Sequence, residues 1–157
     1  TFKGLPHRCE AIATIDNVSY INDSKGTNIG ATLAAIEGFG SDSYKNLLLI
    51  AGGQGKGQDF DGLKEAADSF VKCGFLYGED AQQLEDALHS VTKVYRADSL
   101  VEAVAVAKSA ARPGDIVLLS PACASFDSFT GFEERGHCFS QAVLSPVKTG
   151  SREGMTS

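Results

Sequence analysis

The apolar run at 46–51, Asn-Leu-Leu-Leu-Ile-Ala, narrows the possible architecture more than any other segment of the chain. It has the length of a β-strand, and its apolar residues are consecutive rather than alternating. A strand of this kind is buried on both faces, which is typical of a parallel sheet with helices on both sides. The run at 115–119, Asp-Ile-Val-Leu-Leu, has the same character. Both runs therefore predict central strands of a covered sheet.

Strand and helix patterns alternate along the rest of the chain. Predicted strands lie at 9–15, 18–22, 46–51, 73–77, 91–95 and 115–119. Predicted helices lie at 29–38, 62–72, 81–88, 99–111 and 132–143. Such alternation produces parallel strands joined by right-handed crossovers. The sequence therefore predicts a Rossmann-like α/β domain of three layers: a mostly parallel sheet of about six strands with helices on both faces.

Local signals define the ends of several elements. Asp16-Asn17 separates the first two strands and predicts a hairpin. Thr27 or Asn28 is predicted to cap the first helix. Ser99 and Glu102 have the spacing of a capping box, in which the serine accepts from the glutamate amide and the glutamate reaches back.

Length and charge set further limits. The 157 residues fit one domain, and 14 basic against 20 acidic residues give a net charge of -6. This balance argues against nucleic acid or an anionic membrane as the main partner. No run approaches the roughly 20 apolar residues of a membrane span. We expect the domain to cover 1–146 and the polar tail at 147–157 to be disordered.

The four cysteines, Cys9, Cys73, Cys123 and Cys138, contain no C-x-x-C pair. Their number and spacing favour reduced structural thiols in a cytoplasmic protein over a disulfide scaffold or a zinc site. Cys123 is the exception, because it lies in a polar segment, where a nucleophilic role is the alternative. No histidine is near it in the sequence, which argues against that role.

Polar segments follow three of the predicted strands. They read Asp-Ser-Lys-Gly-Thr-Asn at 23–28, Gly-Gly-Gln-Gly-Lys-Gly at 52–57 and Ser-Pro-Ala-Cys-Ala-Ser-Phe-Asp at 120–127. In a parallel sheet, the loops at the carboxyl ends of the strands bind ligands. We name these segments the first, second and third loop, and together they predict a ligand site at one edge of the sheet.

The second loop matches neither of two familiar phosphate-binding motifs. A P-loop needs four residues between its first glycine and its Gly-Lys pair, and then Ser or Thr. Here the spacing from Gly52 is shorter, and Gly57 stands where the Ser or Thr should be. A dinucleotide fingerprint needs glycine or alanine where Gln58 stands. We interpret the loop as a flexible turn that presents Lys56 as a point charge, with backbone amides able to face an anion.

Taken singly, the polar and aromatic residues of these segments also have ordinary structural explanations. They are solvated lysines (Lys25, Lys56), caps or turn residues (Asp23, Asp127, Ser125), a surface charge (Arg8) and core rings (Phe126, Phe129, Phe132). For Lys25 the alternative is an ammonium group that neutralises a carboxylate or phosphate near a helix N-terminus.

The combination of motifs favours the functional alternative. Leu-Pro-His-Arg at 5–8, Ala-Gly-Gly-x-x-Lys at 51–56, Leu-Ser-Pro-Ala-Cys-Ala-Ser-Phe-Asp at 119–127 and Phe-Glu-Glu-Arg-Gly at 132–136 accompany the first loop. Together they resemble the C-terminal domain of the Mur ligase family, of the MurD type that adds D-glutamate to UDP-N-acetylmuramoyl-L-alanine. The resemblance covers about residues 1–144. Sister ligases and folylpolyglutamate synthetases carry other residues after the aspartate of the first loop.

This resemblance implies a bacterial, cytoplasmic, ATP-dependent ligase of peptidoglycan synthesis. ATP phosphorylates the substrate carboxylate, and the amine of D-glutamate attacks the resulting acyl phosphate. The family's N-terminal domain binds the UDP-sugar, while its central domain carries the P-loop and the Mg²⁺ ligands. Neither domain is recognisable in this chain. We therefore expect a monomeric C-terminal domain that is inactive alone, with no metal or cofactor bound to it.

The resemblance also implies roles for individual residues. The D-glutamate site would consist of Thr27, Lys56, Ser125, Phe126 and Phe132. The nucleotide site would consist of Arg8 and Lys25 at the phosphates and Asp23 at the ribose, with Lys25 as the catalytic charge at the γ-phosphate. No metal ligand is implied. The departures from the family pattern are Gly26 for alanine, Phe126 for leucine and Gln54 for an often acidic residue.

Three alternatives remain open. The first is a sister Mur ligase that adds another amino acid. The second is a stand-alone Rossmann-like nucleotide-binding module, although its fingerprint glycines are incomplete. The third is an interaction domain without a ligand, which would leave Lys25, Lys56 and Ser125 apart in space.

Overall fold

The computed structural model describes residues 9–55, 57–124 and 130–145. Its strands are β1 (Glu10–Ile15), β2 (Val18–Asn22), β3 (Leu47–Gly52), β4 (Val71–Tyr77), β5 (Lys93–Arg96) and β6 (Ile116–Leu119). They form one sheet in the order β1-β2-β6-β3-β4-β5. β1 is antiparallel to β2, and the other neighbouring pairs are parallel. The predicted mostly parallel sheet of six strands is confirmed.

The helices are α1 (Ile29–Phe39), α2 (Lys64–Phe70), α3 (Ala81–Leu88), α4 (Leu100–Ala110) and α5 (Phe132–Leu144). A 3-10 turn, Phe60–Leu63, precedes α2. None of these described helices is long and apolar enough to cross a bilayer.

Most predicted boundaries differ from the observed ones by one or two residues, and backbone hydrogen bonding explains two of the larger differences. The helix predicted at 62–72 ends at Phe70, because Val71 is fully buried and pairs with Leu47 in the sheet. The strand predicted at 91–95 begins only at Lys93. The amides of Val91 and Thr92 both donate to Leu88 O, which keeps these residues in the turn that follows α3.

The predicted caps are present with one difference. Asn28 caps α1 by accepting a hydrogen bond from the Ala31 amide at 2.9 Å. Ser99 caps α4 by accepting from the Glu102 amide at 3.1 Å. Glu102 Oε1 accepts from the Asp98 amide at 2.6 Å, one residue earlier than a reciprocal capping box requires.

The core forms one layer on each face of the sheet, because successive side chains of a strand point to opposite faces. β3 shows this directly, since its side chains are buried on both faces. Leu47 and Leu49 pack in the layer that contains α1, α2 and α3. Leu48 and Ile50 pack in the layer of α4 and α5. The consecutive apolar residues at 46–51 thus have the double burial that the sequence predicts.

The topology places three loops side by side. β6 lies between β2 and β3, and all three run in the same direction. Asn22 at the end of β2 pairs with Leu119 at the end of β6, which in turn pairs with Ile50 of β3. The first, second and third loops therefore leave the sheet along the same edge.

Candidate functional site

Backbone hydrogen bonds join the described parts of the three loops. The Ala122 amide of the third loop donates to Gly26 O of the first loop at 2.8 Å. Gln54 of the second loop and Ala124 of the third exchange two bonds, at 3.0 and 2.9 Å. The third loop is therefore held between the other two, and residues from distant parts of the chain meet at one edge of the sheet.

Asp23 of the first loop is a buried carboxylate with protein partners on both oxygens. Its Oδ1 accepts from the Cys9 amide at 3.2 Å, and its Oδ2 accepts from Ser120 Oγ at 2.8 Å. Its side chain also lines an open cleft beside α1. These partners, from two other segments of the chain, hold the Asp23 carboxylate beside the cleft.

Gly26 allows this carboxylate and Ser120 to approach each other. A Cβ at position 26 would lie 2.7 Å from both Asp23 Oδ2 and Ser120 Oγ. The glycine that departs from the family pattern thus leaves the space that Asp23 and Ser120 occupy.

Lys25 is the exposed cation of the first loop. Its Nζ lies 5.4 Å from the centroid of the Phe132 ring at the start of α5, a distance typical of a cation–π contact. Ser24 Oγ donates to Phe132 O at 2.8 Å, so the loop and the helix are also joined through the backbone. The structure thus brings together two residues that the resemblance assigns to different substrates.

A cleft of about 780 Å³ opens beside these residues. Asp23, Lys25, Thr27 and Phe132 line it, so four of the sequence-predicted site residues share this space. Small residues of α1, including Ala31 and Gly38, also line it. The lining of the cleft therefore combines charged and polar residues with small apolar ones.

The second loop differs from the flexible, anion-facing turn predicted above. The amides of Gly52, Gln54 and Gly55 donate to Pro121 O, Ala124 O and Asp80 Oδ2. These three amides are already bonded within the protein and do not face an anion. Close backbone approach requires glycine at two positions: a Cβ at Gly52, whose φ is 152°, would lie 2.0 Å from Tyr77 O, and a Cβ at Gly53 would lie 2.2 Å from Ala124 O.

Arg135 is a site residue to which the sequence reasoning assigned no role. Its side chain on α5 is fully buried. Nη1 donates to Cys123 O at 2.9 Å, and Nη2 donates to Ser24 O at 2.7 Å. The guanidinium group therefore ties the first and third loops to α5. Arg135 stands four and eight residues before the buried Phe139 and Val143, which places it on the apolar face of the helix. This spacing is the feature of the sequence that could have predicted its burial.

Gln58 is a second such residue. It stands directly after the second loop, and its side-chain amide bonds to Ile29 N, Gly55 O and Ala122 O. The sequence reasoning considered position 58 only as a missing glycine or alanine.

Several predicted residues lie outside the described part of the chain. They are Arg8, Lys56, Ser125 and Phe126, together with Asp127 and Phe129. Among the described residues, no group of three or more His, Cys, Asp or Glu side chains is arranged to hold a metal ion.

The cysteines have the properties of structural thiols. None of the four is in a disulfide. Burial raises the pKa of the Cys73 and Cys138 thiols above the ordinary value, and Glu134 raises that of Cys138 further. Cys123 is fully buried, whereas a reactive cysteine needs access to its substrate. The nucleophilic alternative for Cys123 has no support in this geometry.

Comparison with known proteins decides the family. A family model described as "Mur ligase, glutamate ligase domain" matches residues 7–123, which is most of the chain. The chain belongs to the Mur ligase family. The resemblance found in the motifs is therefore confirmed.

Curated Mur ligases are similar over most of this chain. UDP-N-acetylmuramoylalanine--D-glutamate ligase of Legionella pneumophila (strain Paris) is 54% identical over 143 residues, 91% of the chain. The enzyme of the same name from Acinetobacter baylyi is 53% identical over 145 residues, 90% of the chain. In both cases the match covers 32% of the relative, so the chain spans about a third of their length.

Solved Mur ligases have the same fold. A murein peptide ligase from Psychrobacter arcticus matches with a TM-score of 0.63 at 17% identity, over 93% of this chain and 32% of its own. UDP-N-acetylmuramate-alanine ligase MurC from Thermotoga maritima matches with a TM-score of 0.60 at 14% identity, over 88% and 30%. At these identities the likeness establishes the α/β fold alone.

Proposed function

We propose that this Mur ligase chain is the amino-acid-binding C-terminal domain of an ATP-dependent ligase that joins D-glutamate to UDP-N-acetylmuramoyl-L-alanine. The observation that carries the proposal is the 54% identity, across 91% of the chain, to relatives named UDP-N-acetylmuramoylalanine--D-glutamate ligase. The hydrogen-bonded convergence of the three loops, of which the first lines the cleft that contains Lys25, supports it. The activity is proposed for the longer protein, since this chain spans about a third of those relatives.

The proposed reaction has two steps. The γ-phosphoryl group of ATP is transferred to the substrate carboxylate, which gives ADP and an acyl phosphate. The amine of D-glutamate then attacks the acyl carbon, a C–N bond forms, phosphate leaves with the electrons of the broken C–O bond, and the amine loses a proton. A domain that holds the amino acid against the acyl phosphate raises the rate by orienting the two reactants.

The exposure of Lys25 in the cleft supports its proposed role as an electrostatic catalyst. Its side chain is exposed in the cleft, and its ammonium group lies against the Phe132 ring. An aromatic ring can orient the ammonium group while its positive charge is retained. In the proposal the ammonium group faces the γ-phosphate and stabilises the negative charge that develops during transfer. Asp23 accepts from the ribose, and Arg8 reaches the phosphates.

The amino acid would be held by Thr27, Lys56, Ser125, Phe126 and Phe132. D-glutamate carries two carboxylates, which suit a lysine and hydroxyl donors because charge-assisted hydrogen bonds are strong. Thr27 and Phe132 both line the cleft, which supports their place in this set.

Mg²⁺ belongs to the proposal only through the longer protein. The described residues of this chain offer no cluster that fits the ion. In keeping with the family resemblance, we propose that the ligands of Mg²⁺ lie on the central domain. No residue of this chain has a proposed role in binding the ion. We also propose that the enzyme acts as a monomer in the bacterial cytoplasm.

Amino-acid dependence of phosphate release by the full-length enzyme tests the function. With ATP and UDP-N-acetylmuramoyl-L-alanine present, we expect release with D-glutamate and none with L-lysine or glycine. Release with L-lysine or glycine instead would show a sister Mur ligase.

The isolated 157-residue chain gives a second test. We expect no ATP- and D-glutamate-dependent ADP release from it, because half of each substrate site is proposed to lie on the rest of the enzyme. Measurable turnover by the purified chain would contradict this division of the site.

A further inference from the structure

We propose that Gln58 is a positioning residue that fixes the three loops of the site relative to one another and thereby sets the affinity for the amino acid and the nucleotide. The proposal rests on the proposed function for the identity of these substrates. Its structural part rests on described residues alone.

The Gln58 side-chain amide makes three hydrogen bonds to the backbone of other residues. Oε1 accepts from the Ile29 amide at 3.0 Å. Nε2 donates to Gly55 O and to Ala122 O, both at 2.9 Å. A primary amide has two N–H donors, so each of these bonds can have its own hydrogen. The side chain is half-buried, where solvent competes less for these bonds than at an exposed site.

Each partner stands close in sequence to a proposed substrate residue. Ile29 is the first residue of α1 and follows Thr27 by two positions. Gly55 precedes Lys56, and Ala122 precedes Ser125 by three positions. Loss of the Gln58 side-chain amide would therefore free the backbone at Ile29 and weaken the hold on Ala122, while Gly55 O would keep its bond from the Gln58 backbone amide at 3.1 Å.

The neighbouring contacts do not replace Gln58. The backbone bonds of Ala122 and Ala124 link the third loop to one other loop each. Arg135 links the first and third loops to α5. Gln58 joins the second loop to the start of α1 as well as to the third loop, which gives the three loops a common support.

The test compares full-length wild-type enzyme with Gln58→Ala and Gln58→Glu, and with Gln141→Ala on the exposed face of α5 as the matched control. At a temperature well below the melting temperature, we expect the KM for D-glutamate to rise about tenfold in Gln58→Ala, as expected if the lost bonds were worth about 1.4 kcal/mol in total. The KM for ATP should rise in the same variant, while kcat changes less than either KM. Gln141→Ala should retain wild-type constants.

Gln58→Glu separates the donors from the acceptor. It keeps an oxygen for the Ile29 amide but places a second oxygen against the carbonyls of Gly55 and Ala122. We expect its KM values to be at least as high as those of Gln58→Ala. A purely structural role would lower the melting temperature of both variants and leave both KM values unchanged, and that result would overturn the proposal.

An activity-independent measurement distinguishes this proposal from the proposed function. Amide hydrogen exchange of full-length Gln58→Ala should be faster than wild type around Ile29 and around 120–124. If wild-type enzyme uses another amino acid but exchange increases, the substrate assignment fails and the positioning role stands. If wild type uses D-glutamate but neither exchange nor KM changes in Gln58→Ala, the positioning role fails alone.

Discussion

The first and second loops reach the same edge of the sheet, but they are built in opposite ways. In the first loop Lys25 is exposed, and its ammonium group lies against an aromatic ring beside an open cleft. In the second loop Gly52, Gly53 and Gly55 are buried, and the chain is held by backbone and carboxylate partners. The comparison teaches that glycine content here marks close packing of the backbone. The first loop presents charge from a long side chain, and the second provides a fixed support.

Lys25→Ala should have the largest effect, because it removes the charge that the first loop presents. In the full-length enzyme we expect kcat to fall roughly 100-fold or more, the loss typical of removing a group that stabilises charge in a transition state. The KM for D-glutamate should change little. Lys56→Ala should do the reverse and raise that KM most. Steady-state kinetics, with Lys93→Ala on the exposed part of β5 as a control, measure the split. A large rise in KM with unchanged kcat for Lys25→Ala would reverse the assignment of the two lysines.

Arg135→Met should have the next largest effect, here on the folding stability of the domain. Arg135 holds the first and third loops to α5. The substitution leaves Cys123 O and Ser24 O without their guanidinium donors in a buried place. We expect the free energy of unfolding to fall by about 3 kcal/mol, since each unsatisfied buried group costs about 1–3 kcal/mol. Denaturant unfolding measures this. Arg96→Met, at an exposed ion pair with Glu85, should cost less than about 1 kcal/mol. Equal losses for the two variants would show that Arg135 is not a tie between the loops.

Gly52→Ala tests whether the second loop is a fixed support. The added Cβ would meet Tyr77 O, so we expect a loss of about 2 kcal/mol or more in the free energy of unfolding. Gly57→Ala is the control, because its φ is also positive at 77° but no atom lies within 4 Å of its added Cβ. There the strain alone should cost about 1 kcal/mol. If denaturant unfolding gave equal losses of unfolding free energy for the two variants, the second loop would be able to shift around the added Cβ. It would then not be the fixed support that distinguishes it from the first loop.

Phe132→Leu should have the smallest effect. It removes the ring under the Lys25 ammonium group, a contact worth about 0.5–1 kcal/mol at an exposed site, so kcat should fall about threefold. Phe132→Tyr keeps an aromatic face and should retain most of kcat. A change confined to the KM for D-glutamate would mean that the ring serves the amino acid alone and does not support Lys25.

The sequence predicts the fold well because the fold depends on local patterns. Consecutive apolar residues at 46–51 identify a central strand, and the alternation of patterns gives the layers. The wrongly predicted boundaries lie where the end of an element depends on a partner distant in the sequence, as at Val71, or on hydrogen bonds in the turn after a helix, as at Val91 and Thr92. Val71 belongs to a strand because Leu47 lies beside it, and no local signal contains that fact.

The candidate site is predictable in its location and less so in its support. Apolar strands followed by polar segments place Lys25 and Thr27 at the sheet edge. Gln58 and Arg135 act by donating hydrogen bonds to backbone carbonyls of other loops. A carbonyl acceptor has no side-chain identity, so its pairing leaves no trace in the sequence. The amphipathic spacing of α5 marks Arg135 as unusual, but it does not name the partners.

The mixed lining of the cleft that contains Lys25 also suggests what a synthetic inhibitor of such a ligase should look like. An acidic head group would be directed to Lys25 and Thr27, while a flat apolar body would cover Ala31 and Ala34 of α1. Since neighbouring loops are held by Arg135 and Gln58, such a compound would meet a preformed surface and lose little affinity to ordering the protein. Selectivity would then depend on the small side chains of α1, because a larger residue at one of these positions would reduce the space beside the helix.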